Sequence, residues 1–324
     1  MKLPIAVDAM GGDRAPEEIM AGARRAADEL GIDVVVVGPE DLDTRGLPRI
    51  AASEVIGMGD DPAAGVRRKK DATLVRAAEA VRDGKASAMV SAGNTGAAMA
   101  SALLRMGRIK GVSRPAIATV LPVPGSTRAT VLLDSGANAE CQPEWLVQFA
   151  QMGSVFARHR FGLPQPNVGL LSIGEENSKG NTLVKETNTL LASAPGVHFI
   201  GNVEGRDILT DDVDIVVTDG FSGNIVLKAL EGALSSIVGA VVEALTATDE
   251  LARHFEVVRP AIDDLYERLE PESFGGAMLL GVNGVCIVSH GSSSAKAVVN
   301  AIKMAAEMVD EEVVAELRAA VTAD

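Results

Sequence analysis

Cysteine is nearly absent from this 324-residue chain. Cys141 and Cys286 cannot build a disulfide framework and read as packed thiols in a reducing compartment. Positive charge is also short: 30 Lys and Arg stand against 44 Asp and Glu, a formal charge of -14. That balance argues against a general nucleic-acid binder or a strongly polybasic membrane anchor. His159, His198, His254 and His290 are scattered and share no metal-ligand spacing with the cysteines, so no metal is expected. Also missing are a G-x-G-x-x-G after the first strand, a G-x-x-x-x-G-K-[ST] and a G-x-S-x-G elbow. Neither a dinucleotide site, a P-loop nor a hydrolase elbow is supported, and no cofactor is expected. The longest uncharged stretch, Ala86 to Leu104, is interrupted by polar side chains and two glycines and does not read as a transmembrane helix. The opening MKLPIAVDAMGGD meets two aspartates before a signal-like apolar region is complete, so no secretory signal is read. A cytoplasmic protein is expected.

What is present is apolar material for a large core: 47% of residues are hydrophobic and 23% charged, the balance of a folded globular chain. Short β-branched runs alternate with helical segments from end to end. Ile5 to Asp8 reads as a strand, and a helix follows with Pro16 near its start, Glu17 and Glu18 in its first turn and Gly31 past its end. Asp33 to Gly38 is an unbroken apolar run of the kind buried on both faces of a sheet. Further strands are expected at Ala88–Ser91, Thr130–Asp134, Val168–Ser172, Asp214–Thr218 and Val285–Val288, before one terminal helix to about Thr322. The alternation predicts a single α/β domain over 1–324, a largely parallel sheet between two helical layers. From about Leu227 to Glu272 helix follows helix with no strand, which predicts a helical projection.

In open α/β sheets ligands bind beyond the carboxyl ends of strands. The loops there read Asp8–Asp13, Ser91–Gly96, Asp134–Asn138, Gly174–Asn181, Asp219–Asn224 and Ser289–Ser292, rich in Gly, Asn, Ser and Thr. Glycine admits close approach to a ligand, and the neutral side chains offer hydrogen bonds. Any one loop is explained by an N-capped turn. Gathered at one end of a sheet, they predict a phosphate-sized anion site. Nothing near Cys141 marks it as a nucleophile, so the site suits a reaction whose nucleophile arrives ready-made.

At these loops the sequence closely resembles the bacterial phosphate acyltransferases of phospholipid synthesis, the PlsX family. The matching blocks include IAVDAMGGDRAP (Ile5–Pro16), VRRKKD (Val66–Asp71), SAGNTGA (Ser91–Ala97), GRIKGVSRP (Gly107–Pro115), VGLLSIGEENSKGN (Val168–Asn181), DIVVTDGFSGNIVLK (Asp214–Lys228) and GGAMLLGVNGVCIVSHGS (Gly275–Ser292), in order over nearly the whole chain. The resemblance implies a Rossmann-like three-layer fold, similar to isopropylmalate dehydrogenases and phosphotransacetylases. It implies transfer of an acyl chain from the thioester of acyl carrier protein to inorganic phosphate, giving acyl phosphate. It also implies a homodimer, with a downstream membrane acyltransferase as a further candidate partner.

Lys179 and Asn224 match family positions implicated in activity and are the expected catalytic pair. Ser91, Asn94 and Thr95 are expected to hold phosphate, with Asn138 and His290 as further candidates. The carrier protein is acidic and requires a basic dock, either Arg67-Arg68-Lys69-Lys70 or the cluster of Arg105, Arg108, Lys110 and Arg114. Family members carry an apolar, Lys-rich helical tip that is thought to touch membrane. Here Glu250 to Glu272 keeps Leu251, Phe255, Val258, Ile262, Leu265 and Leu269 at helical spacing but is rich in acids, which anionic lipid repels. Only weak peripheral attachment to anionic membrane is therefore expected. The competing readings are another phosphate acyltransferase, a metal- and NAD-dependent dehydrogenase on a similar fold, or a non-catalytic carrier-protein scaffold.

Overall fold

The computed structural model describes residues 2–269 and 275–322. Strands β1 (Ile5–Asp8), β2 (Val34–Gly38), β3 (Arg49–Ala51) and β4 (Ala88–Ser91) precede β5 (Ala116–Pro122), β6 (Ala129–Leu133), β7 (Asn167–Leu171) and β8 (His198–Val203). The series ends with β9 (Ile215–Val217), β10 (Ala277–Leu280) and β11 (Val285–Val288). These strands make one sheet in the order β3-β2-β1-β4-β11-β10-β5-β6-β9-β7-β8. Their side chains alternate between two helical layers, as the period of two requires. Ile5, Val7, Val34 and Val36 pack with Ile19 and Met20 of α1 (Glu17–Leu30), Phe149 of α5 (Pro143–Phe161), Ile302 of α9 (Ala295–Asp310) and Leu317 of α10 (Val313–Thr322). Ala6, Val35 and Val37 pack on the other face, with Val66 of α2 (Pro62–Arg68), Val75 of α3 (Thr73–Arg82) and Ala97 of α4 (Thr95–Ser101). The three-layer α/β reading holds.

The sheet also departs from the expected plan. β10 runs antiparallel to both β11 and β5, and β5 runs antiparallel to β6, while the other pairs are parallel. Two parallel halves therefore point in opposite directions and join at β5 and β10. The glycine-rich loops do not share one end of the sheet: those after β1, β4 and β11 leave one end, and those after β6, β7 and β9 leave the other. Sequence alternation locates strands but is blind to this reversal. The terminal helix is likewise two helices, α9 and α10, broken where Glu312 takes φ 52°. The run Ala86 to Leu104 folds as β4, a loop, α4 and the start of a π-helical turn over Ala102–Met106, mostly inside the domain.

The helical projection begins earlier than expected. α7 (Gly220–Leu245) starts directly from the β9 loop and packs on α8 (Asp249–Leu269); residues 270–272 lie outside the described chain. Asp219 caps α7 by accepting from the Ser222 N–H at 2.8 Å. Glycine lets its first turn lie against the β6 loop: a Cβ at Gly223 would fall 2.0 Å from the Asp134 carbonyl, and one at Gly220 2.6 Å from that of Asn138. Among the described residues α7 is the one helix long and apolar enough to cross a membrane, with mean hydropathy 1.8 and an unburied window. Its exposed apolar side chains include Phe221, Ile225 and Ile237. In α8, Phe255 is buried, whereas Leu251, Val257, Val258 and Leu265 are exposed.

Candidate active site

A cavity of about 240 Å³ lies over the junction of the two halves. Its floor is Ile117 and Thr119 of β5 with Ala277 of β10. Thr95, at the start of α4, and His290, after β11, come from one half; Ser135, after β6, and Asn224 and Lys228 of α7 come from the other. The reversal at β5 and β10 is thus what makes the site, because it brings loops from oppositely directed strands over the same two central strands.

Each wall has a local cause. Asp134 is buried, and its carboxylate accepts from the backbone N–H groups of Ile117, Gly136, Ala137 and Asn138 at 2.7–3.2 Å, and from the Asn138 amide at 2.9 Å. Burial pushes the Asp134 carboxyl above its ordinary range, and these donors work against that push. The turn they fix sets Ser135, whose Oγ donates to the Ile117 carbonyl at 3.1 Å and stands 2.6 Å from Thr119 Oγ1. On α7, Asn224, Lys228 and Glu231 succeed one another at spacings of four and three, so one helix face meets the cavity. Lys228 Nζ donates to Glu231 Oε2 at 2.8 Å and lies 3.1 Å from His290 Nε2. Glu231 Oε1 is 3.4 Å from the same imidazole nitrogen. Burial works to raise the Glu231 carboxyl, but hydrogen bonds from His290 and Lys228 outweigh it and leave the group below its usual range.

The cavity therefore offers an ammonium, an imidazole, an amide and hydroxyls, with one carboxylate engaged by Lys228 and His290. Such a set can hold a small anion and stabilise charge on a carbonyl oxygen. The thiols stand apart. Burial pushes Cys141 and Cys286 up to about 12, so both are protonated packing groups, as expected.

Residues 3–316 match the model of a family described as fatty acid synthesis protein. A phosphate acyltransferase of Pelotomaculum thermopropionicum is 47% identical, covering 98% of this chain and 95% of its own length. One of a Nostoc species is 44% identical, with 97% and 95% covered. The chain belongs to the PlsX family of phosphate acyltransferases. It is an enzyme of the acyltransferase class. The fold is also that of a phosphotransacetylase from Streptococcus pyogenes (TM-score 0.63, 17% identity, 96% of this chain and 94% of that one). It is shared with a 4-hydroxythreonine-4-phosphate dehydrogenase from Klebsiella pneumoniae (TM-score 0.52, 15% identity, 95% and 100%).

Within this family member, the side chains expected from the sequence fall into two groups. Thr95, Asn224 and His290 line the cavity together. Ser91, Asn94 and Asn138 do not; their polar atoms are engaged in the fold. Ser91 Oγ donates to Asp8 Oδ2 at 2.7 Å and accepts from the Gly93 N–H at 3.0 Å. Asn94 caps α4 through its carbonyl, and its amide donates to the carbonyls of Gly57, Met58 and Asp60. Asn138 donates to the Pro115 carbonyl and to Asp134. Lys179 is exposed on the loop after β7, its stem over Gly174, outside the cavity lining. Arg67 and Arg68 are exposed on the last turn of α2. Arg105 is half-buried 3.6 Å from Glu79, and Arg108 donates to the Ser113 carbonyl. Sequence reasoning passed over Thr119, Ser135, Lys228 and Glu231. Lys228 was findable, since it sits one helical turn after Asn224 in the same motif.

An acidic cluster, Glu175, Glu204 and Asp207, lies elsewhere, with ligand oxygens within 4.8 Å of one another. Arg206 reaches each of these acids. The cluster is thus already compensated by a guanidinium and carries no metal assignment.

Proposed function

We propose that this cavity transfers a fatty acyl group from acyl carrier protein to inorganic phosphate, giving acyl phosphate. A phosphate oxygen adds to the thioester carbonyl carbon, and the tetrahedral intermediate expels the carrier's thiolate, which then takes up a proton. Phosphate is already anionic at neutral pH and needs positioning more than activation. An ordinary thiolate, with a pKa of about 8.5, leaves without strong acid assistance. What the protein must supply is fixed donors for the phosphate and the carbonyl oxygen. Lys228, Thr95 and His290 suit the anion, and Asn224 suits the oxygen. Lys179, exposed on the loop after β7, is assigned to the anionic donor rather than to the cavity itself. The observation that carries this reading is one ammonium set among neutral donors, in a family of phosphate acyltransferases.

Arg67 and Arg68 are the proposed dock for the acidic carrier. They follow the turn holding Met58, which lines the cavity, and make no ion pair among the described residues. The exposed Phe221 and Ile225 of α7 support self-association as a homodimer. The enzyme is placed in the cytoplasm with weak attachment to anionic membrane, because α8 sets Glu256 and Asp263 beside Arg259. Strong, salt-sensitive flotation with anionic vesicles would overturn that placement. The reaction is tested by following acyl phosphate directly from acyl carrier protein thioester and phosphate, with no nicotinamide added. Formation that weakens as salt rises is the expected result; no acyl phosphate would sink the reading.

A further inference from the structure

A second cavity, of about 260 Å³, opens beside the first. The two share Leu227 and Glu231 of α7, so they meet across one stretch of helix. Their linings differ in kind. Apart from Glu231, the second is wholly apolar, with Leu121 at the end of β5, Leu209, and Leu230, Leu234 and Ile237 along α7. Leu227, Leu230, Leu234 and Ile237 follow helical spacing and form one stripe. From Leu227 to Ile237 the helix advances about 15 Å, the reach of a fatty acyl chain rather than of an acetyl group.

We propose that this groove holds the acyl chain of the substrate, with its carbonyl end at Asn224 and Lys228 and its tail toward Ile237. The proposal rests on the function inferred above. Continuity with the polar cavity argues for this occupant: a chain whose head reacts beside Lys228 must leave along a path free of unpaired polar groups, and the groove supplies one. Glu231, at the passage, is held by Lys228 and His290 and does not present a free carboxylate to the chain. Burial of methylenes there would favour long donors over short ones.

Ala233 lines the groove from an exposed position on α7, so a larger side chain at 233 fills the groove without emptying the core. Ala233→Phe is compared with the unaltered enzyme, using hexadecanoyl and butanoyl thioesters of acyl carrier protein. The expected result is a fall of about tenfold or more in kcat/KM for the hexadecanoyl donor, the effect of roughly two methylenes losing their burial, with butanoyl transfer little changed. A hexadecanoyl donor carrying a terminal diazirine, photolysed on the unaltered enzyme, should label Leu234 or Ile237. Equal loss with both donors, or labelling elsewhere, would overturn the groove assignment. So would a change in association state accompanying equal loss, because a second copy would then be the occupant. Absence of acyl phosphate from either donor, with labelling at Leu234 or Ile237 retained, would instead overturn the proposed reaction and leave the groove standing.

Discussion

Two asparagines, each in the opening of a helix after a strand, have opposite fates. Asn94 is itself the cap of α4, and its amide is spent on three carbonyls of the Gly57–Asp60 turn. Asn224 lies in the second turn of α7, where Asp219 already does the capping, and its side chain lines the cavity. In sequence both belong to glycine-rich, polar motifs and look equally suited to an anion. What separates them is whether another residue has taken over the structural task. Where a cap is supplied by a neighbour, the asparagine is left for chemistry; where it is not, the asparagine is consumed by the fold.

The sharpest break of this contrast is at α7. Asn224→Ala and Lys228→Met should each lower kcat by about a hundredfold or more, the scale on which a single preorganised donor acts. Neither side chain supports the sheet, so thermal unfolding should stay near that of the unaltered enzyme. Near-native turnover in folded Lys228→Met would take Lys228 out of the site. Lys228→Met should also raise the phosphate KM, whereas Lys179→Ala should act on the carrier-protein KM, because Lys179 stands outside the cavity.

At α4 the order of effects reverses. Asn94→Ala removes a helix cap and leaves three carbonyls without that donor, so it should cost roughly 1–3 kcal/mol of stability. Its effect on phosphate binding should be secondary, through displacement of Met58. Thr95→Ala, one residue on, should leave stability nearly unchanged and raise the phosphate KM. Denaturant unfolding and phosphate titrations on the same preparations check both. An Asn94 variant as stable as the unaltered enzyme but weak for phosphate would place its amide in the site after all.

Much of the fold was legible because its signals are local. Val34–Gly38 and Ala88–Ser91 are buried throughout, as apolar runs in a central sheet should be, and Gly31 closes α1 in the left-handed conformation. Four strands were overlooked: Arg49–Ala51 is three residues at a sheet edge, Ala116–Pro122 is bounded by prolines, His198–Val203 is part-exposed and broken by Gly201 at φ 108°, and Ala277–Leu280 lies between glycines. The direction of β10 is set by its neighbours, β11 and β5, and no pattern within β10 encodes it. The site inherits the same division. Motifs pointed to Thr95, Asn224 and His290, but Thr119 and Ser135 enter it only through a pairing across β5 and β6. Ser91 and Asn138 leave it because Asp8 and Asp134, buried nearby, claim their hydrogen bonds.

The smallest expected effect concerns Glu231, and it asks whether its contacts with Lys228 and His290 also support the fold. Its carboxyl is held below the usual value of 4.5 in the folded protein, burial opposing and the bonds from His290 and Lys228 prevailing. A carboxyl lowered on folding stabilises the protein above its unfolded pKa, and that contribution fades as pH falls through the folded value. Stability should therefore be fully supported by Glu231 at neutral pH and decline below about pH 4.5. With its side chain one-quarter exposed, the contribution should be no more than about 1 kcal/mol. Glu231→Gln removes the titrating group, so the gap in unfolding midpoint between the two proteins should narrow as the medium is acidified from neutrality. A gap that stays constant across that range would show that Lys228 and His290 are held by the helix and the β11 loop alone, with Glu231 serving neither as their anchor nor as a source of stability.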